Sequence, residues 1–149
     1  TFPVGKISPE AQSLIDAAKE SFGEGLKMAR SGNRIGDISA AVQACVEGHG
    51  YGVVRSLCGH GIGKEMHEDP EVPNFGKAGH GPRLREGMCI AVEPMITAGD
   101  YRVYIAADDW AFLTRDHSIA AHYENTLAIT ADGDPLILTM PNGFDGEDV

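Results

Sequence analysis

Residues 58–70 read CGHGIGKEMHEDP, and the rest of the chain is organised around this stretch. It contains two histidines, His60 and His67, seven residues apart, and glycines flank the first of them. Glycine lets a ligand or another backbone approach closely, and imidazole is the commonest metal ligand in proteins. We therefore interpret His60 as a candidate metal ligand. His67 is too far along the chain for the i, i+4 pairing of zinc proteases, so we expect it to act beside the metal or on a substrate.

Two glutamates later in the chain interrupt apolar segments. Glu93 lies within residues 88–96, MCIAVEPMI, and Glu124 lies within residues 122–127, HYENTL. Strand alternation would put His122, Glu124 and Thr126 on one polar face. A carboxylate in an apolar strand needs a cation or several donors to offset its desolvation. One nitrogen and two oxygen donors on separate segments fit a divalent first-row metal with open positions, although the pattern does not select which metal.

Composition predicts a globular domain and excludes several functions. The chain has 149 residues, 42% of them hydrophobic, and a formal charge of -10. That charge argues against direct binding of nucleic acid or an anionic membrane, which both need a basic surface. The three cysteines have no Cys-x-x-Cys spacing and are odd in number, so we expect no disulfide framework and a cytoplasmic location. No apolar run is long enough to span a bilayer.

Two amphipathic helices are predicted first. Ser8 followed by Pro9 is typical of a helix start, and the apolar period continues to about Arg30, with Lys19 expected on the outer face. Asp37 is expected to cap a second helix, which ends at Gly48.

Extended segments fill the remainder of the chain. We predict strands over residues 51–57, 88–96, 122–130 and 135–140, a hairpin of residues 101–105 with 110–114, and a loop over residues 69–85. Helices followed by a mostly antiparallel sheet indicate an α+β fold. Residues 1–140 are expected to form part of one domain, and the acidic residues 141–149 to form a frayed tail.

Several blocks of the sequence together resemble one family. They are residues 59–63 with 67–70, Gly87-Met88, Glu93-Pro94-Met95 and residues 123–126, in that order. From about residue 2 to residue 140 the chain resembles the second half of type I methionine aminopeptidases. The resemblance implies the pita-bread fold, in which two similar halves surround a two-metal centre in a curved antiparallel sheet.

The same resemblance implies roles for individual residues. His60, Glu93 and Glu124 would be metal ligands, with Glu124 bridging two ions of Co, Mn, Fe or Zn. Glu93 would also carry a proton during attack of a metal-bound water on the first peptide bond, and His67 would contact that bond. The positions of Met66 and Trp110 border the pocket for the substrate methionine, although the family usually has an aromatic residue where this chain has Met66.

One departure from the family limits these expectations. Two aspartates that complete the family's site precede the point where this chain begins. We therefore expect this chain to be a C-terminal half that holds at most one ion well and is inactive without its N-terminal half. The expected substrate is the N-terminal methionine of peptides and nascent chains. Two alternatives remain open: a related peptidase similar to aminopeptidase P or prolidase, and a non-catalytic binding protein of the same fold.

Overall fold

Two consecutive helices form one layer of the molecule. The computed structural model describes residues 1–140, in which α1 spans Pro9–Met28 and α2 spans Ile35–Gly48. The start of α1 confirms the prediction, because Ser8 is the N-cap, its hydroxyl accepts a hydrogen bond from the Ala11 N–H at 3.1 Å, and proline follows it. The helix ends two residues before the predicted Arg30.

The start of α2 differs from the prediction. Arg34, not Asp37, is the N-cap, and the helix begins at Ile35. Asp37 lies three residues beyond the cap, where its carboxylate accepts a hydrogen bond from the Arg34 N–H at 2.7 Å. Asp37 is thus the N3 residue of a capping box. An acidic residue can serve either at the N-cap or at N3, three residues later.

The helices pack on the sheets through a continuous apolar core. Phe22 of α1, Ile38 of α2 and Ile90 of the sheet layer are all fully buried in it. The prediction that Lys19 faces outward is wrong, since Lys19 is only 8% exposed. Helical periodicity places a residue on a face, but it does not reveal that another segment covers that face.

Within residues 1–140, ten short strands follow the helices, and all of their pairings are antiparallel. The central sheet has the order β10-β9-β4-β2-β3, a second sheet has the order β1-β5-β8, and β6 with β7 forms the predicted hairpin. The strands are β1 Gly52–Val53, β2 Gly59–Gly61, β3 Glu68–Val72, β4 Cys89–Val92, β5 Met95–Thr97, β6 Val103–Ile105, β7 Phe112–Thr114, β8 Ala120–His122, β9 Asn125–Ala128 and β10 Leu136–Ile137.

Two segments predicted as single strands each cross from one sheet to the other. The first breaks between Val92 and Met95, so that β4 lies in the central sheet and β5 in the second sheet. The other breaks between His122 and Asn125 in the same way. Because β4 pairs with β9 and β5 with β8, the two breaks lie side by side, and the Tyr123 N–H donates to the Pro94 carbonyl at 3.1 Å. Glu93 and Glu124 each lie in one of these breaks.

The predicted loop over residues 69–85 contains most of a strand. β3 forms the edge of the central sheet, where a proline is tolerated because one side of the strand needs no ladder hydrogen bond. The sequence of β3 is mostly polar, so it lacks the alternation of apolar and polar residues that predicts a strand. The predicted tail, residues 141–149, lies outside the described residues. No helix within residues 1–140 is both long and apolar enough to cross a membrane.

Candidate metal centre

His60 lies at the middle of β2, with strands on both sides. Its backbone is opposite Ala91 of β4 and Glu71 of β3. The ring Nδ1 lies 2.9 Å from the Gly61 carbonyl oxygen. Because a carbonyl can only accept, Nδ1 must carry the proton, and the neutral ring then presents the lone pair of Nε2. That nitrogen lies 3.5 Å from Oε1 of Glu93.

Both glutamates approach the same point from the two strand breaks. One ligand atom each from His60, Glu93 and Glu124 lies within 4.8 Å of the other two. The Glu93 side chain is 13% exposed and that of Glu124 is 45% exposed, so the cluster has one sheltered and one open side. Asn74, which is buried, donates to the Glu93 carbonyl at 2.9 Å and fixes the backbone at the first break.

His122 joins these residues although the sequence assigned it no role. Its Nε2 lies 3.4 Å from Oε2 of Glu93 and 3.7 Å from Oε2 of Glu124. This nitrogen is buried and has no hydrogen-bond partner within the described part of the chain. Strand alternation had placed His122 on the polar face with Glu124, which was the available signal. Its approach to Glu93 depends on the pairing of β5 with β8, which the sequence does not reveal.

The side chains of this cluster fit a divalent cation. Two carboxylates so close together repel each other, and a cation between them removes that repulsion. The donors are an imidazole nitrogen and carboxylate oxygens, a set that suits first-row metals. The Nε2 atom of His122 is buried, faces both carboxylates and has no hydrogen-bond partner within the described residues. Buried polar atoms normally have a partner, so this atom is consistent with a bound ion or water at the cluster.

The structure places the three other predicted site residues in different surroundings. The His67 ring centroid lies 4.3 Å from that of His60, so the two histidines are in contact. Met66 precedes His67 and is 70% exposed. Trp110, at the tip of the β6–β7 hairpin, is 85% exposed. The structure thus brings His67 to the cluster and leaves Met66 and Trp110 at the surface.

Two cavities adjoin the cluster at His122. One of about 390 Å³ is bordered by Glu124, Tyr123 and Lys19, so the face of α1 that carries Lys19 lies beside segments distant in the sequence. The other, of about 290 Å³, is mainly apolar and is bordered by Met95, Val103 and Phe112. Neither cavity is lined by Met66 or Trp110.

Cys58 precedes the glycine-rich strand but is poorly suited to act as a nucleophile. Burial raises the pKa of its thiol, and the nearby carboxylates of Glu71 and Glu93 raise it further. The thiolate is the reactive form of cysteine, and this environment disfavours it.

The sequence of this chain matches one known protein family. Residues 1–131 match the model of metallopeptidase family M24, and the chain belongs to that family. It has the architecture of half of the pita-bread fold, two helices with mostly antiparallel sheets, as the sequence predicted.

Several similar proteins within this family are methionine aminopeptidases. The chain is 56% identical over 140 residues to a methionine aminopeptidase of Clostridium acetobutylicum, covering 94% of this chain and 56% of that protein. The methionine aminopeptidase structure from Thermotoga maritima superposes with a TM-score of 0.90 at 41% identity, covering 93% of this chain and 55% of that one. An X-Pro aminopeptidase structure from the same organism, at 22% identity and a TM-score of 0.67, shares the fold alone. The chain spans about half the length of the curated relatives it matches.

Proposed function

We propose that this chain forms part of a metal-dependent exopeptidase that removes the N-terminal methionine from peptides and nascent proteins in the cytoplasm. The convergence of His60, Glu93 and Glu124 at two adjacent strand breaks is the observation that carries the proposal. A non-catalytic binding protein would have no physical need for two carboxylates in this position. Substantial identity to proteins named methionine aminopeptidase supports methionine as the residue released.

His60, Glu93 and Glu124 would hold the cation, with His122 beside the two carboxylates. A bound Co, Mn, Fe or Zn ion would supply an activated water and polarise the peptide carbonyl. Within residues 1–140 these donors suffice for one ion at this position. We propose that the complete centre holds two ions and takes further carboxylate ligands from a separate segment of the protein.

The chain's own groups can move the protons that hydrolysis requires. Glu93 is sheltered and lies at the centre of the cluster, so it can accept a proton from the attacking water and return it to the leaving amine. His67, in contact with His60, can donate a hydrogen bond to the carbonyl oxygen as negative charge develops on it. Met66 and Trp110 are proposed to border the substrate side chain once a bound peptide covers them.

A panel of peptides tests this function in the metal-loaded full-length protein. Met-Ala-Ser, Ala-Ala-Ser and Ala-Pro-Ser would be compared by release of the first amino acid, with N-acetylated Met-Ala-Ser as the control without a free amine. We expect a preference of about 100-fold or more for methionine over alanine, because alanine lacks the side-chain atoms that a substrate methionine would bury in the pocket. Preference for the X-Pro peptide would indicate an aminopeptidase P-like enzyme, and no cleavage of any peptide would indicate a binding protein.

His67→Ala is expected to lower kcat by about 100-fold or more, since it removes one donor to the developing oxyanion. Its affinity for Mn²⁺ should stay within about twofold, because His67 is not in the donor set. Steady-state kinetics and metal titration measure the two effects separately. His67→Gln, which keeps a donor, should recover part of the loss. A raised KM with unchanged kcat would contradict the proposed role.

A further inference from the structure

A second cluster of potential ligands joins the two helices away from the candidate metal centre. Glu20 lies on α1, Cys45 lies on α2, and His49 is the C-cap residue of α2. Residues four apart in a helix share one face, so Cys45 and His49 are directed together toward α1. One ligand atom from each of the three residues lies within 4.8 Å of the other two. The cluster therefore offers one sulfur, one nitrogen and one oxygen donor.

Two of the three side chains, those of Glu20 and His49, have contacts that orient them before any ligand binds. Nε2 of His49 lies 3.0 Å from Oε2 of Glu20. The His49 ring stacks on Tyr51 at 6.3 Å with an interplanar angle of 15°. The Tyr51 hydroxyl in turn donates to Ser13 of α1 at 2.9 Å. Such preorganisation reduces the conformational entropy lost when a ligand binds.

The charges around Cys45 favour a cation. Burial raises the pKa of its thiol to about 11, and the carboxylates of Glu20 and Glu24 contribute to that rise. Lys27 acts in the opposite direction, but its ammonium group lies 2.5 Å from the Glu24 carboxylate. The carboxylates of Glu20 and Glu24 that contribute to this rise would also attract a divalent cation, which would neutralise both the thiolate and Glu20.

We propose that Glu20, Cys45 and His49 bind Zn²⁺ and thereby link α1 to α2. Zinc accepts thiolate, imidazole and carboxylate ligands in four-coordinate sites, and three protein ligands leave one position for water. On binding, the Cys45 thiol loses its proton to solvent as the zinc–sulfur bond forms. The two helices pack against each other at this point, so the ion acts on the stability of the helical layer. This proposal does not depend on the proposed peptidase activity.

Cobalt titration of the full chain distinguishes this site from the candidate centre at His60. Co²⁺ bound to a thiolate gives a sulfur-to-metal charge-transfer band, which a site of nitrogen and oxygen ligands does not give. We expect the band in the unmodified chain, in Cys58→Ser and Cys89→Ser, and its loss in Cys45→Ser. These are the three free cysteines of the described residues, so each serves as a matched control for the others. Absence of the band, or its loss with Cys58 or Cys89 instead, would overturn the proposal.

Because Cys45 is partly buried, its replacement could disturb the fold, so a second variant tests the site at an exposed ligand. His49 is exposed, so His49→Gln should leave the fold intact. We expect its affinity for Zn²⁺, measured by competition with a chelating dye in chains that also carry Glu124→Ala to weaken the His60 centre, to fall by about tenfold or more. Zinc should also raise the thermal midpoint of the unmodified chain and raise it less in His49→Gln. Equal zinc affinity in the two chains would contradict ligation by His49.

Discussion

Glu124→Ala will lower methionine release by about a thousand-fold or more, equivalent to about 4 kcal/mol of transition-state stabilisation. Glu124 supplies one of the two carboxylates in the donor set, and without it the cation loses both a bond and half of the negative charge that attracts it. Initial rates of methionine release from the full-length protein at saturating Mn²⁺, together with Mn²⁺ titration, measure the effect.

The fold should survive this substitution, because the Glu124 side chain is 45% exposed. When a chelator has removed the metal, the two neighbouring carboxylates repel each other. Removal of one of them should therefore leave the free energy of unfolding unchanged or slightly higher. Glu86→Ala is the matched control, since Glu86 is also an exposed glutamate but lies on the turn before β4. Activity of Glu124→Ala within about twofold of the unmodified protein would mean that the site lies elsewhere.

Gly59→Ala will destabilise the protein by about 3 kcal/mol, because β2 has no space for a side chain at this position. A Cβ atom there would lie 2.2 Å from the Ala91 carbonyl oxygen of β4 and 3.2 Å from the Val72 carbonyl oxygen of β3. Both neighbours are backbone atoms in paired strands, so they cannot move without separating the central sheet. Since His60 is the next residue, weaker metal binding should accompany the loss of stability.

Chemical denaturation compares Gly59→Ala with Gly48→Ala, which adds the same methyl group. Gly48 ends α2, and no atom lies within 4 Å of its added Cβ. Alanine is the better helix former, so Gly48→Ala should be neutral or stabilising by up to about 1 kcal/mol. Equal free energies of unfolding for the two variants would show that β2 tolerates a side chain and that the close approach of its neighbours is unimportant.

Local signals in the sequence predicted both helices and the start of the first one. Ser8 and Pro9 act within one turn of themselves, so the beginning of α1 needed no knowledge of the rest of the fold. Asp37 was assigned to the wrong position of a cap because the same residue type serves at the cap and three residues later. Lys19 was misplaced because segments distant in the sequence, among them Tyr123 and Glu124, lie beside its face of α1, which helical periodicity does not reveal.

The sequence also singled out His60, Glu93 and Glu124, since carboxylates in apolar segments are costly and therefore conspicuous. It did not reveal why the two carboxylates meet. They meet because β4 pairs with β9 and β5 with β8, which places the two strand breaks side by side. Pairing between segments about 30 residues apart leaves no local signal in the sequence. The same reason explains why His122 and Asn74 were missed. They act only through the position that the tertiary structure gives them.

Anomalous diffraction from crystals of the full-length protein grown with Mn²⁺ tests the central claim most directly. Manganese prefers nitrogen and oxygen ligands, so the thiol-containing cluster on the helices should not compete for it. We expect an anomalous peak for an ion within bonding distance of Nε2 of His60 and of at least one oxygen each of Glu93 and Glu124. An empty position between these three side chains, with manganese bound only at other carboxylates, would contradict it.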